Sequence, residues 1–297
     1  MKKRPMENIP DLSGKTAIVT GGNIGLGFKT SLELARNHAR VVIACRSMAK
    51  GQAAVARITA EVPGAELEII PLDLTDMDSI RSFAAAFLEE HSRLDILMNN
   101  AGVVNLEHLE RTQEGHEMHM ATNHLGHFAL TGLLSEILVK TPGARVVTLS
   151  SLSYKFGTID FDDFKWVERS YNRSKSYGDS KLANLLFARQ LQTYFKEKGC
   201  DALSVAAHPG LTGTERQQSI GIGGRLARWM AAPLDKGVRS QLMAATSPDV
   251  TPGAFYGPRF GIWGAPKALT IKPGKVNDSL ARELWTYSQA LTGVQFH

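Results

Sequence analysis

Six short apolar runs, each followed by a longer stretch, most restrict the folds open to this chain. TAIVT (16–20), RVVIAC (40–45), LEIIPL (67–72), LDILMN (94–99), ARVVTLS (144–150) and ALSVAA (202–207) are near-continuous in aliphatic residues. A strand covered on both faces needs no alternation of apolar with polar positions, so these runs read as a parallel sheet. Helical candidates at about 26–38, 47–61, 77–91, 116–139 and 177–198 fill the intervals. The pattern predicts an α/β fold, a doubly wound parallel sheet flanked by helices on both faces. No repeat, low-complexity tract or proline-rich linker divides the 297 residues, so one domain over 1–297 is expected. Residues 1–11 read as a flexible N-terminal extension. Gly/Pro-rich stretches at 208–224 and 252–274 break the alternation, and 211–270 reads as substrate loops and a lid, because loops at the carboxyl ends of strands shape ligand pockets.

Composition excludes several function classes. The formal charge is +5, but beyond Lys2, Lys3 and Arg4 the basic residues are scattered, which argues against a nucleic-acid partner. Cys45 and Cys200 are the two cysteines, too few for a disulfide framework or a thiolate zinc cage, and they fit a reducing, cytoplasmic setting. The basic start MKKRPMENIPDLSGK leads into no apolar core of a signal sequence, and no run of about 18 uninterrupted apolar residues occurs, so no membrane span is expected.

Directly after the first predicted strand comes TGGNIGLG, with Gly21, Gly25 and Gly27 ahead of a helix opening near Leu26. Glycines allow a tight turn and close backbone approach to a pyrophosphate, which the first amides of the helix then face. Strand, glycine turn and helix in that order read as a dinucleotide site. Such sites place an acidic residue near the end of the second strand to hold the ribose 2′-hydroxyl of NAD. Here Arg46 falls 19 residues after Gly27, and no Asp or Glu lies between Arg40 and Gln52. A guanidinium there suits a 2′-phosphate, which favours NADP(H) over NAD.

With that loop, NNAG (99–102), NHLGHF (123–128), LSS (149–151), YGDSKLAN (177–184) and HPG (208–210) follow in one order. The chain resembles the short-chain dehydrogenase/reductase family over roughly 12–292, and within it the retinol-dehydrogenase-like, NADP-preferring branch. The resemblance implies a Rossmann fold and an NADP(H)-dependent oxidoreductase that interconverts a carbonyl and an alcohol on an apolar small molecule by hydride transfer. It implies Asn123, Ser151, Tyr177 and Lys181 as the catalytic set. It implies cofactor contacts from Gly21, Asn23, Ile24, Gly25, Gly27, Arg46, Asp73, Leu74, Asn100, Ala101, Gly102, Tyr177, Lys181, Pro209, Gly210 and Thr212. A homodimer or homotetramer through the helices at 116–139 and 177–198 is a further implication. The alternative from another class is a non-catalytic NADP(H)-binding sensor or scaffold with the same fold.

Two Tyr-x-x-x-Lys pairs compete, Tyr171 with Lys175 and Tyr177 with Lys181. A hydride arriving at a carbonyl carbon makes an alkoxide that an acid must protonate. Lowering a phenol from its usual pKa of about 10 toward 7 takes roughly 4 kcal/mol, which an ammonium about 4 Å away supplies at an effective dielectric of 20. Tyr177 is followed by SKLANLLFARQLQTYF with helical apolar spacing and Ser176 as a possible cap; Tyr171 is not, so Tyr171 and Lys175 read as loop residues. Ser151 is taken over its neighbour Ser150 because the family pattern places the active hydroxyl second, with the register open by one residue. The 26-residue spacing from Ser151 to Tyr177 exceeds the dozen or so usual in short members, and the insertion reads as an excursion beside the pocket.

His108, His116, His119, His124 and His127 crowd within 20 residues without a known zinc-motif spacing, so no metal is expected. A serine hydrolase is set aside because the G-x-S-x-G elbow is missing. The basic, amphipathic GGRLARWMAAPL (223–234) reads as a pocket lid, with contact to a membrane surface as the other reading.

Overall fold

The computed structural model describes residues 9–210, 234–261 and 263–297. The six runs form β1 (Thr16–Thr20), β2 (Arg40–Cys45), β3 (Leu67–Pro71), β4 (Ile96–Asn99), β5 (Arg145–Leu149) and β6 (Leu203–Ala207). Two further strands, β7 (Phe255–Pro258) and β8 (Pro266–Ala268), extend the sheet to the order β3-β2-β1-β4-β5-β6-β7-β8. Every pairing is parallel except the antiparallel β7–β8 hairpin at the edge. The stretch read as loops at 252–274 therefore contains strands. They escaped notice because FYGP and PKA are short and rich in Gly and Pro.

Helices cover both faces. On one, α1 (Gly25–Arg36) and α2 (Met48–Glu61) bury Leu32, Leu34 and Ile58 against Val41, Ile43, Met98 and Val205. On the other, α3 (Met77–Glu90) buries Ile80, Phe83 and Phe87 against Ile18, Val42, Leu97 and Val146. Strand runs without polar positions are thus explained by a core on each side.

The predicted 116–139 helix is broken. It runs as α4 (Met118–Met120), a π turn over Ala121–Leu125, α5 (Gly126–Leu133) and α6 (Ser135–Lys140). A π turn inserts a residue into the helical ladder and re-aims the side chains after it, a device common at functional sites. The helix expected over 177–198 is α7 (Arg173–Glu197) and starts earlier. Its cap is Asn172, which accepts from Ser174 and Lys175 amides at 3.1 and 3.0 Å, while Ser176 is buried within the helix.

Past residue 233 the chain forms α8 (Leu234–Gly237), α9 (Arg239–Thr246) and α10 (Asp278–Thr292). Asn277 caps the start of α10, and Gly293, with φ +64°, ends it in the left-handed region. The 15-residue α10 lies across α5 and α7. Trp285 meets Phe128 at 5.1 Å and Phe187 at 5.9 Å between ring centres, and Tyr287 packs on Phe161 and Phe164 of the insertion. Arg169 fixes that insertion further through ion pairs to Asp163 and to Asp179 of α7.

At the other end, Ile9 packs against the core cluster and Asp11 bonds His38 at 2.9 Å; the rest of the expected extension, 1–8, lies outside the described residues. So do 211–233, including most of the 223–234 segment. Among the described residues, no helix is long and apolar enough to cross a membrane.

Candidate active site

The sheet order reverses between β1 and β4, the point at which doubly wound sheets place a ligand crevice at the carboxyl ends of their strands. The glycine loop leaves β1 at this point. Gly21 has φ +64° and Gly25 φ +58°, a region that favours glycine. A Cβ on Gly27 would strike the Gly21 carbonyl and come within 2.6 Å of Asn100 Nδ2, so the close approach of loop and helix depends on its absence. Ile24, half-exposed at the start of α1, offers no side-chain acceptor to the first-turn amides, which suits an anion there. Asn23 is half-buried in the same turn.

The floor of the crevice is Asn100, Ala101 and Gly102, just past β4. Thr20 accepts from both the Asn100 and Ala101 amides at 2.9 Å, and Asn100 Nδ2 donates to the Thr20 carbonyl at 2.7 Å. Arg46 follows the last residue of β2, well exposed, and its guanidinium stands 3.9 Å from Asp73 just past β3. Asp73 also accepts from the Thr75 amide and hydroxyl, and Leu74 is buried against Gly126. Pro209 and Gly210 follow β6, where the Gly210 amide donates to His208 Nδ1 at 3.0 Å. Thr212 lies outside the described residues.

The four expected catalytic side chains converge beside this floor. The π turn presents Asn123, whose Oδ1 accepts from the Val103 amide at 2.8 Å and whose Nδ2 donates to Ser180 Oγ at 2.9 Å. Lys181 donates to the Leu149 carbonyl at 3.1 Å and stands 5.5 Å from the centre of the Tyr177 ring. An ideal Cβ on Gly102 would lie 3.7 Å from Lys181 Nζ, which puts the ammonium at the edge of the cofactor floor. Ser151 Oγ donates to Ser153 Oγ at 3.2 Å and lies close enough to the Tyr177 phenol to favour its ionised form. Ser150 is buried and donates to the Lys181 carbonyl at 2.7 Å, whereas Ser151 is the serine that acts on the phenol.

The electrostatics differ from the expectation. Burial pushes Tyr177 up to about 12, opposed by the Ser151 hydroxyl, and burial pushes Lys181 down to about 8. The protein's own groups therefore keep the phenol protonated rather than making it a strong acid. The rival Tyr171 precedes α7, donates to the Leu106 carbonyl at 3.1 Å and packs on Trp166. Lys175 sits in the first turn of α7, not in a loop, and is exposed to solvent.

The comparisons with known proteins decide the family. The short chain dehydrogenase family model matches residues 15–223. This chain belongs to that family. Retinol dehydrogenase 12 of Mus musculus is 38% identical over 290 residues, covering 96% of this chain and 88% of that protein. Retinol dehydrogenase 13 of Homo sapiens is 44% identical over 213 residues, 72% of this chain and 63% of its own length. A crystal structure of an uncharacterized protein from Mycobacterium Paratuberculosis has a TM-score of 0.82 at 36% identity, covering 98% of this chain and 97% of that one. The protein is thus a short-chain dehydrogenase of the retinol-dehydrogenase-like type, with a Rossmann fold, a nicotinamide cofactor and oxidoreductase chemistry on a small molecule.

Some working residues of this short-chain dehydrogenase escaped the sequence reading. Thr20 is the hub that ties Asn100 and Ala101 to the glycine loop, and its place directly before Gly21 was the available signal. Ser180, inside YGDSK, donates to the Tyr177 carbonyl at 2.8 Å and holds Asn123. Nothing in a helical spacing pattern marks a serine as the link between the Asn123 amide and the Tyr177 main chain. Among the described residues, no group of three His, Cys, Asp or Glu could hold a metal.

Proposed function

We propose that the protein reduces a carbonyl, or oxidises the corresponding alcohol, on an apolar small molecule with NADP(H). The observation that carries the reading is the convergence of the Ser151 hydroxyl, the Tyr177 phenol and the Lys181 ammonium beside the glycine-lined floor. The residues around the crevice fit a nicotinamide nucleotide: Gly21, Gly25, Gly27 and the first-turn amides of α1 for the pyrophosphate, Arg46 for a 2′-phosphate, and Lys181 with Asn100 to Gly102 for the nicotinamide end. When bound, such a cofactor supplies or accepts the hydride and brings a positive ring that favours a phenolate.

In the reductive direction Ser151 holds the substrate oxygen by a hydrogen bond. Tyr177 gives its proton to that oxygen as the carbon is reduced. Lys181 stabilises the phenolate that results, a role that a buried ammonium performs better than one in water. Asn123 keeps a water in a relay that returns a proton to Tyr177. Burial raises Tyr177 to about 12, so Lys181 and the cofactor's charge together must offset that cost.

The exposure of Arg46 and the missing acidic residue at the end of β2 support NADP(H) over NAD(H). Two free cysteines suit a cytoplasmic location. Pairing of copies through the helices at 116–139 and 177–198 would have to involve α10, which lies across them; light scattering reads the mass in solution. The functional reading is tested by offering NADPH and NADH with a panel of apolar aldehydes and ketones. NADPH-dependent turnover of at least one supports it. Tight NADPH binding with no turnover of any would support the non-catalytic alternative.

A further inference from the structure

Two of the clustered histidines follow Asn123, His124 within the π turn and His127 in the first turn of α5, and both are almost wholly buried, each 1% exposed. Neither touches the reacting groups. Burying an imidazole is unfavourable unless its nitrogens are matched; His127 has a partner at both nitrogens, and His124 at Nε2, while among the described residues no hydrogen bond reaches His124 Nδ1.

His127 Nδ1 lies 3.1 Å from the main-chain carbonyl of Asn123, and Nε2 lies 2.8 Å from Thr20 Oγ1. A carbonyl only accepts, so Nδ1 carries the proton and Nε2 must accept. The Thr20 hydroxyl then donates to Nε2, the nearer of its two acceptors, with the Met98 carbonyl at 3.1 Å the other, and that oxygen's lone pairs face the Asn100 and Ala101 amides. Every step in this chain is consistent with a neutral ring, and burial holds His127 down at about 4. One imidazole thus connects the cofactor floor to the backbone of Asn123. On the other side, His124 Nε2 lies 2.9 Å from Ser288 Oγ of α10. Burial holds this ring neutral as well, at about 3. Ser288 is itself fully buried on the packed face of α10 with Ala281, Leu284 and Thr292.

We infer that His127 and His124 are positioning residues that clamp the π turn from both sides, His127 to Thr20 under the cofactor and His124 to Ser288 of the C-terminal helix, and so fix Asn123 for the proton relay. The inference rests on the function proposed above. It gives α10 a part in catalysis although none of its residues reaches the crevice groups. It also explains why a π turn, which by itself is a weakly held stretch of helix, keeps one geometry here.

The test uses the full chain with NADPH and nonanal as an apolar carbonyl, comparing wild type with His127→Phe, Ser288→Ala and Tyr177→Phe. His127→Phe keeps a ring of similar size and removes both bonds; Ser288→Ala removes one oxygen far from the substrate and leaves α10 intact. The expected result is a fall in kcat of about tenfold for His127→Phe and a smaller fall for Ser288→Ala, with KM values for both substrates little changed. The solvent deuterium isotope effect on kcat rises in both, because the proton relay becomes slower, and amide hydrogen exchange speeds up over 121–126. A wild-type kcat and isotope effect in both variants overturns the inference. A fall in kcat without a change in isotope effect also overturns it, since that marks loss of packing alone. Should His127→Phe not fold, Ser288→Ala carries the test. An active Tyr177→Phe defeats the functional reading itself; an inactive Tyr177→Phe beside a wild-type-like His127→Phe defeats only the clamp.

Discussion

Lys181 reaches past the Tyr177 ring to the carbonyl of Leu149, 3.1 Å away, with its ammonium 5.5 Å from the ring centre. This hydrogen bond anchors a cation that burial would otherwise favour discharging, and its pKa is already down to about 8. As pH rises past that value the ammonium is lost before the phenol titrates. In carbonyl reduction, kcat/KM should therefore descend with a midpoint near 8, and Lys181→Arg should remove that descent because a guanidinium stays charged. Steady-state kinetics from pH 6 to 10 read it, and a midpoint that does not respond to the substitution would contradict the role given to Lys181.

Arg46 is exposed and only loosely tied to Asp73, so its guanidinium is available to a ligand. Charge-assisted hydrogen bonds contribute roughly 1.5–3 kcal/mol each. Arg46→Ala should weaken NADPH by about tenfold or more while NADH changes little. Equal losses for both nucleotides by fluorescence titration would remove the 2′-phosphate assignment.

The two glycines at the entrance of α1 make a contrast. Gly25 has a left-handed φ but open space around a would-be Cβ, so Gly25→Ala should cost about 1–2 kcal/mol from backbone strain alone. At Gly27 a Cβ meets the Gly21 carbonyl and Asn100 Nδ2, so Gly27→Ala must push the loop off the cofactor floor. Denaturant titration without ligand should show the larger loss at Gly27.

Much of this architecture was legible because its causes are local. A strand such as RVVIAC, apolar throughout, has nowhere to go but between two helical layers, and the loop of Gly21, Gly25 and Gly27 marks the switch point by itself. The two Tyr-Lys pairs were separable because the apolar stripe of a helix follows Tyr177 and not Tyr171. The failures concern relations that no local pattern encodes. The start of α7 was misplaced because Asn172 and Ser176 are equally good caps on paper, and burial of Ser176 against His119, at 2.8 Å, excludes it. The helix α10 went unread although its buried positions have helical spacing, and the rings it covers, Phe128 and Phe187 against Trp285, lie far back in the chain. The sequence supplies the lysine's charge but not the burial that pushes the phenol up and the ammonium down.

Three buried histidines set how the protein responds to acid. His124 is held at about 3, His127 at about 4 and His208 at about 4, all by burial. Their folded values lie below the unfolded 6.5, so the stability they contribute is present above pH 6.5 and is lost as pH falls toward 4. Asp179 works in the opposite direction. Burial raises it to about 7 from 3.8, so it favours the folded state progressively as pH falls across that same window. Unfolding between pH 6.5 and 4 should then take up a net of about two protons from these four groups, to which His116, also lowered by burial, adds. The slope of unfolding free energy against pH from denaturant titrations measures it, and a flat profile above pH 4 would contradict the neutral buried imidazoles.

The central claim is that the Tyr177 phenol is the group that exchanges a proton with the substrate oxygen. Measuring kcat and nucleotide affinity for Tyr177→Phe beside Tyr171→Phe tests it most directly. The account predicts that Tyr177→Phe loses turnover by about 100-fold or more while still binding NADPH, and that Tyr171→Phe stays within a few-fold of wild type. An active Tyr177→Phe, or turnover lost only in Tyr171→Phe, would contradict it.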